Sequence, residues 1–217
     1  MLCKIASSVI KDLSKRIKFH MDESSFSKLG LIEPLQRRLK EKKYNYPTPI
    51  QEKSITQLLE GNDLLGVAQT GSGKTAAFAL PILQHISSNL SNSKLTKEIP
   101  KGKSKEEKHK PNTRALIIAP TRELALQIGK SFESYGQYLP LSHTVIYGGI
   151  RQHYQVAALN RGVDIIVATP GRLLDLIQQG YVNLKNISHL VLDEADLMLD
   201  MGFIKDIEKI LAKIPSK

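Results

Sequence analysis

Ala68-Gln69-Thr70-Gly71-Ser72-Gly73-Lys74-Thr75 sits between a short apolar run, Asp63–Ala68, and a periodic apolar segment, Gly73–Ile86. The run reads as a buried strand and the periodic segment as a helix, so the octapeptide is a strand-to-helix turn. It matches the phosphate-binding pattern G-x-x-x-x-G-K-[ST] except at its first position, where Ala68 stands for glycine. Gly71 and Gly73 free backbone N–H groups to curl around phosphate oxygens, and the helix start adds partial positive charge. Lys74 supplies a point charge to the β- and γ-phosphates, and Thr75 offers a hydroxyl to Mg²⁺. A glycine-rich turn that merely caps a helix would need neither the lysine nor the threonine.

Outward from this turn the chain alternates. Arg114–Ala119, His143–Tyr147, Asp164–Ala168 and His189–Leu192 read as further strands, and Arg122–Tyr138, Ile150–Asn160, Arg172–Gln179 and Phe203–Ile214 as the helices that follow them. Such alternation predicts an α/β fold, a mostly parallel sheet with helices on both faces. Ligands then bind beyond the carboxyl ends of the strands. Upstream, Leu31, Leu35 and Leu39 recur at helical spacing, Pro47 and Pro49 interrupt, and Ile50, Ile55, Leu58 and Leu59 resume it. Phe132, Tyr135 and Tyr138 share a helical face and are expected in the core.

The strand His189–Leu192 runs into Asp193-Glu194-Ala195-Asp196. Alone, this tetrad is a charged loop. Beside a phosphate loop it divides into two roles. Asp193 stays ionised near the metal, and Glu194 orients and deprotonates an attacking water.

Composition bounds the remainder. The 217 residues carry 31 Lys+Arg against 21 Asp+Glu, a net charge of +10, with 41% hydrophobic residues and one cysteine, Cys3. That excludes a wholly disordered chain, an internal disulfide framework and a cysteine zinc site, and it fits a reducing compartment. No apolar run approaches the roughly 20 residues of a membrane span. The six histidines show no metal-ligand spacing. The charge is uneven. Residues 1–20 carry +4 and residues 94–114 carry +5, which leaves +1 for the other 176. The second segment reads as a disordered basic loop over about 88–112, either a solvated insertion or a nonspecific nucleic-acid arm. The first reads as a basic amphipathic helix or as an accessory extension ahead of a start at Met21.

Taken together, Ala68–Thr75 and Asp193–Asp196 resemble the DEAD-box RNA helicases, and other segments agree in order and spacing over about residues 24–214. Tyr46-Pro47-Thr48-Pro49-Ile50-Gln51 is similar to that family's adenine-reading Q motif. Phe26, the upstream aromatic, lies 17 residues before Lys43. Pro120-Thr121-Arg122-Glu123-Leu124-Ala125, Gly148-Gly149 and Thr169-Pro170-Gly171-Arg172 resemble its RNA-contact motifs.

The resemblance implies the first RecA-like domain of a helicase, at 24–217, with its Q motif at 24–52 and an extension at 1–23. It implies ATP and Mg²⁺ as cofactors, with Thr75 and Asp193 toward the metal and Lys74, Asp193 and Glu194 toward catalysis. Gln51 reads the adenine edge, Tyr44 stacks on it and Phe26 supports the motif, while Ala68, Gln69, Thr70, Gly71, Ser72, Gly73, Lys74 and Thr75 hold the phosphates. Pro120, Thr121, Arg122, Gly148, Gly149, Thr169, Pro170, Gly171 and Arg172 line an RNA backbone path without reading bases. Lys43 departs from the family, which usually has glycine there. The implied function is ATP-dependent unwinding of RNA in a longer protein. The alternative is a hydrolytically weak nucleotide- and RNA-binding module; the Gln51 segment and the tetrad argue against a DNA helicase.

A second RecA-like domain is expected from the family and does not occur in these 217 residues. Its arginine fingers are worth roughly 10³–10⁵ in rate. The chain alone is therefore expected to bind nucleotide, hydrolyse it slowly and not unwind RNA, and robust RNA-stimulated ATPase would refute this. A cytoplasmic, bacterial, monomeric protein with no membrane contact completes the expectation.

Overall fold

Four parallel strands form one sheet in the order β2-β3-β1-β4: β1 (Ala115–Ile118), β2 (His143–Ile146), β3 (Ile165–Ala168) and β4 (His189–Leu192). Ala115 is in register with Ile165 on one side and His189 on the other, and His143 with Ile165. The computed structural model describes residues 25–95 and 112–215. The helices are α1 (Glu33–Glu41), α2 (Pro49–Leu59), α3 (Lys74–Leu95), α4 (Arg122–Tyr135), α5 (His153–Arg161), α6 (Pro170–Gln178), α7 (Ala195–Asp200) and α8 (Ile204–Leu211). The chain divides into two compact units between Pro81 and Ile82, inside α3.

The second unit holds the sheet. The central strands β1 and β3 are fully buried, as strands covered on both faces must be. Leu116, Ile118, Ile166 and Ala168 face one way and share a core with Leu159 of α5, Leu173 and Leu176 of α6, Met198 of α7, and Ile207 and Ile210 of α8. By the two-residue period, Ile117 and Val167 face the other way, toward α4. There Gly129 is needed, because a Cβ at that position would run into Val145 Cγ2. The predicted sheet with helices on both faces is thus present.

The amino ends of the strands are tied by charge. Arg114 Nη2 bonds Asp164 Oδ1 at 2.6 Å, and Asp164 Oδ2 accepts from Ser142 N and Oγ, each at 2.9 Å. Nearby, His85 Nδ1 lies 3.1 Å from His189 Nε2. This side-chain pair is invisible to a search for metal-ligand spacing. Among the described residues, no group of three or more His, Cys, Asp or Glu is placed to hold a metal.

The first unit contains a 3₁₀ turn at Phe26–Lys28, α1, α2 and the start of α3. Phe26, Leu31, Leu35, Leu39 and Ile55 are buried; Leu35 and Leu39 share the buried face of α1 as their spacing predicted, while Leu31 precedes that helix. Pro49 occupies the first turn of α2, where its missing N–H costs nothing.

Three readings need correction. Asp63–Ala68 is not a strand: Leu65 is 92% exposed and Val67 90%. A strand exists only through a ladder partner, and among the described residues this segment has none. Second, α3 does not end at Ile86. It continues to Leu95, into the stretch read as a disordered loop from Ser88. Buried Leu83 and Ile86 continue to half-buried Leu90 at helical spacing, and this outweighs the weak propensity of Ser87, Ser88 and Asn89. Third, Tyr138 lies beyond the end of α4 and is only half-buried, whereas Phe132 and Tyr135 are core. The readings of residues 1–24 and 96–111 lie outside the described residues. No described helix is long and apolar enough to cross a membrane.

Candidate functional site

In the first unit the phosphate loop meets Gln51. It is the third residue of α2 and is buried. Its Oε1 accepts the N–H of Thr48 at 3.0 Å, and its Nε2 donates to the Gly73 carbonyl at 3.1 Å. Thr48 is held extended by the following Pro49, which puts its N–H in reach. One N–H of the Gln51 amide and one lone pair of its oxygen are left over after these two bonds.

Two left-handed glycines, Gly71 at φ 81 and Gly73 at φ 93, shape the phosphate loop. A Cβ on Gly73 would collide with Gln51 Nε2 and lie 3.2 Å from Thr48 Oγ1, so the loop can approach α2 only without a side chain there. Lys74 Nζ folds back onto the Ala68 carbonyl at 2.8 Å. Ser72 Oγ and Thr48 Oγ1 are buried with no hydrogen-bond partner. Buried hydroxyls normally find one. Orphan donors beside open glycine backbone and a lysine fit an anion of phosphate chemistry. Gln69, Thr70 and Gly71 are exposed at the tip, and Thr75 is half-buried in the first turn of α3.

Lys43 stands at φ 59, the conformation that favours glycine. It forms the left-handed step that ends α1. Tyr44 N bonds Leu39 O at 2.9 Å and Lys43 N bonds Lys40 O at 3.0 Å, the paired bonds of a Schellman motif. The turn therefore forms despite the lysine. It delivers Tyr44 to the surface at 44% exposure, whereas Phe26 is buried at 5%. Both line a cleft of about 620 Å³ together with Glu33, Arg37 and Tyr46; neither Gln51 nor the phosphate loop lines it.

In the second unit the candidates gather at the carboxyl ends of the strands. After β1, buried Pro120 leads to Thr121, whose Oγ1 caps α4 by accepting from Leu124 N at 3.2 Å. After β2 comes Gly148 and then Gly149 at φ 84, where a Cβ would lie 2.5 Å from Arg122 Nη1. After β3, Thr169 N bonds Ile146 O at 2.9 Å, and Pro170 and Gly171 open α6. Arg172 Nη1 reaches the Ile150 carbonyl at 3.5 Å, and its Nε lies 3.5 Å from Asp175 Oδ2. Arg122 and Arg172 thus meet at one loop, 149–150. Sequence reasoning missed what supports that loop: buried Gln155 donates from Nε2 to the Tyr147 carbonyl at 3.0 Å. Only the folded return of α5 reveals that bond.

After β4, Asp193 is buried, its N–H bonded to Ile118 O at 2.9 Å. Glu194 follows at φ 53, ψ 50, left-handed and half-buried. A non-glycine residue in that region is strained by order 1–3 kcal/mol. The strain turns Glu194 off the line of the strand, while its carbonyl starts α7 by accepting from Met198 N. Asp196 is exposed. Thr75 offers a hydroxyl within the first unit and Asp193 a carboxylate within the second, each a hard oxygen donor of the kind Mg²⁺ prefers.

Residues 48–217 match the family model of the DEAD/DEAH box helicases. The ATP-dependent RNA helicase DeaD of Buchnera aphidicola subsp. Acyrthosiphon pisum (strain APS) is 46% identical over 196 residues, 90% of this chain and 29% of the relative. That of Escherichia coli (strain K12) is 43% identical over 194 residues, 89% of this chain and 28% of the relative. The chain therefore spans under a third of the length of these relatives. A crystal structure of a DEAD box protein from the hyperthermophile Methanococcus jannaschii superposes with a TM-score of 0.75 at 38% identity, covering 88% of this chain and 47% of that one.

Proposed function

This chain belongs to the DEAD/DEAH box helicase family, and from that premise we propose that it is the ATP-binding part of an RNA helicase, contacting ATP-Mg²⁺ and the RNA backbone and coupling hydrolysis to duplex unwinding. The observation that carries the reading is the Gln51 amide clamped between Thr48 N–H and the Gly73 carbonyl. It ties the residue assigned to adenine directly to the loop assigned to phosphate. A purine that fits takes up the amide's remaining donor and acceptor, and one that does not leaves them unpaired. Tyr44 stacks on the base and Phe26, buried behind it, holds the segment in place.

Phosphate oxygens would meet the open backbone at Gly71 and Gly73, the orphan hydroxyl of Ser72, and Lys74, whose ammonium exchanges the Ala68 carbonyl for the nucleotide. Mg²⁺, held by Thr75 and Asp193, would supply charge neutralisation. Glu194 takes the proton from the water that attacks the terminal phosphoryl group. Thr121, Gly149, Thr169 and Gly171 present hydroxyls and N–H groups to RNA phosphates, with Arg122 and Arg172 as the charges. Those contacts carry no base information. The same reading makes the protein cytoplasmic and monomeric.

The test is a set of single substitutions. Gln51→Ala and Lys74→Ala are expected to weaken ATP binding at least about tenfold, as loss of a charge-assisted or buried hydrogen bond does. Glu194→Gln is expected to keep ATP binding and lower turnover by about 10²–10⁴. Unaltered turnover in Glu194→Gln would remove Glu194 as the base, and nucleotide and RNA binding with no turnover at all in the unsubstituted chain would leave a binding module. In a protein that also carries a second RecA-like domain, stimulation by DNA as strong as by RNA would remove the RNA assignment.

A further inference from the structure

The loop that receives Arg122 and Arg172 lies in a stretch without acids: no Asp or Glu occurs between Glu133 and Asp164, while Arg151, His153 and Arg161 do. Arg122 Nη1 packs over Gly149, and Arg172 Nη1 reaches Ile150 O at 3.5 Å, with its Nε beside Asp175 Oδ2. Arg151 is exposed. Four residues past Ile150, on the first turn of α5, Tyr154 is 72% exposed. Its ring centroid lies 3.8 Å from that of His153, tilted 40°.

The buried face of α5 is Gln155 and Leu159. Tyr154 is therefore off the core, and packing gives no reason for a ring there. Arg151 stands three residues before it, and the loop that receives Arg122 and Arg172 ends just upstream. An exposed flat ring following a loop that gathers guanidinium groups, which attract phosphate, is the kind of arrangement by which single-stranded nucleic acid is held without sequence readout. Every base has a face to stack, so such a contact adds affinity for single strands and leaves recognition sequence-tolerant. A duplex keeps its bases stacked on one another and offers the ring nothing.

We propose that Tyr154, with His153 beside it, is a stacking platform for one unpaired RNA base whose flanking phosphates run along the 149–151 loop. The inference rests on the reading of this unit as an RNA-binding surface and adds to it a preference for single strands.

The full chain is titrated against a labelled single-stranded RNA of about ten nucleotides and against the blunt duplex of the same sequence. Tyr154→Ala is expected to weaken single-strand binding about tenfold and leave duplex binding unchanged, and Tyr154→Phe to restore it. Tyr154→Trp introduces the chain's sole tryptophan, whose fluorescence is expected to quench as the single strand binds. Single-strand affinity in Tyr154→Ala within about twofold of the unsubstituted chain, or an equal loss on the duplex, overturns the platform. If the unsubstituted chain binds neither RNA, the RNA reading falls and the platform with it. That failure appears before any substitution and so is distinct from the first.

Discussion

Lys43 shows what a single residue can hold against its own preference. Left-handed backbone is disfavoured for a residue with a Cβ by roughly 1–2 kcal/mol, yet Lys43 sits at φ 59 because the two Schellman bonds from Tyr44 and Lys43 close the end of α1 around it. The strain serves the position of Tyr44, the residue assigned to the base. Glycine would relax it while adding freedom to the unfolded chain, so the two effects partly cancel. Lys43→Gly is expected to stabilise the protein by about 0.5–1 kcal/mol, read as a higher denaturation midpoint with an unchanged slope. A destabilised variant would mean that the lysine makes a contact worth more than its strain. Glu194 is the contrasting case: its left-handed conformation aims a carboxylate assigned to chemistry, so relief of strain there would come with loss of activity.

Elements were legible in the sequence where one strand or helix carried its own signal. His189–Leu192 matches β4 at both ends, and β1, β2 and β3 are each a residue or two shorter than their apolar runs. Asp63–Ala68 carried the same signal and is no strand, because an apolar run reports surface to be buried and cannot report the partner. The candidate site divides the same way. The glycines, Lys74, Asp193 and Glu194 were readable from their order, whereas the Gln51–Gly73 bond spans 22 residues and the Gln155–Tyr147 bond forms only when α5 folds back, and neither was.

Burial, which no single stretch of sequence reveals, sets the acid response of β2. Burial holds the His143 imidazole below its ordinary value, and the Glu133 carboxylate on α4 pulls more weakly the other way. The unfolded chain then protonates first as pH falls through about 6.5, so stability present at neutral pH is lost on acidification until pH passes below the folded value. Melting temperature is expected to fall between about pH 7.5 and pH 5.5, and less steeply in His143→Gln. Parallel slopes for the two proteins would show that other groups carry the response.

At the scale of the whole molecule, net charge and recognition come apart. Of the +10, residues 96–111 contribute six lysines and three glutamates, yet they hold none of the residues assigned to RNA. Those residues are spread over three loops of the second unit, where two arginines meet one glycine-rich turn. Diffuse lysines raise affinity through counterion release, which is strong at low salt and fades as salt rises; short contacts from positioned arginines and N–H groups survive better because their geometry is prepaid by the fold. Deletion of 96–111 is therefore expected to flatten the dependence of RNA affinity on salt and to weaken binding at low ionic strength. Near 0.15 M salt the loss should be no more than about threefold, with ATP binding unchanged. Titrations of the deleted and complete chains across a salt series decide it. Disappearance of RNA binding near physiological salt on deletion would move recognition from the strand-end loops to the basic segment, and with it the meaning of the protein's positive charge.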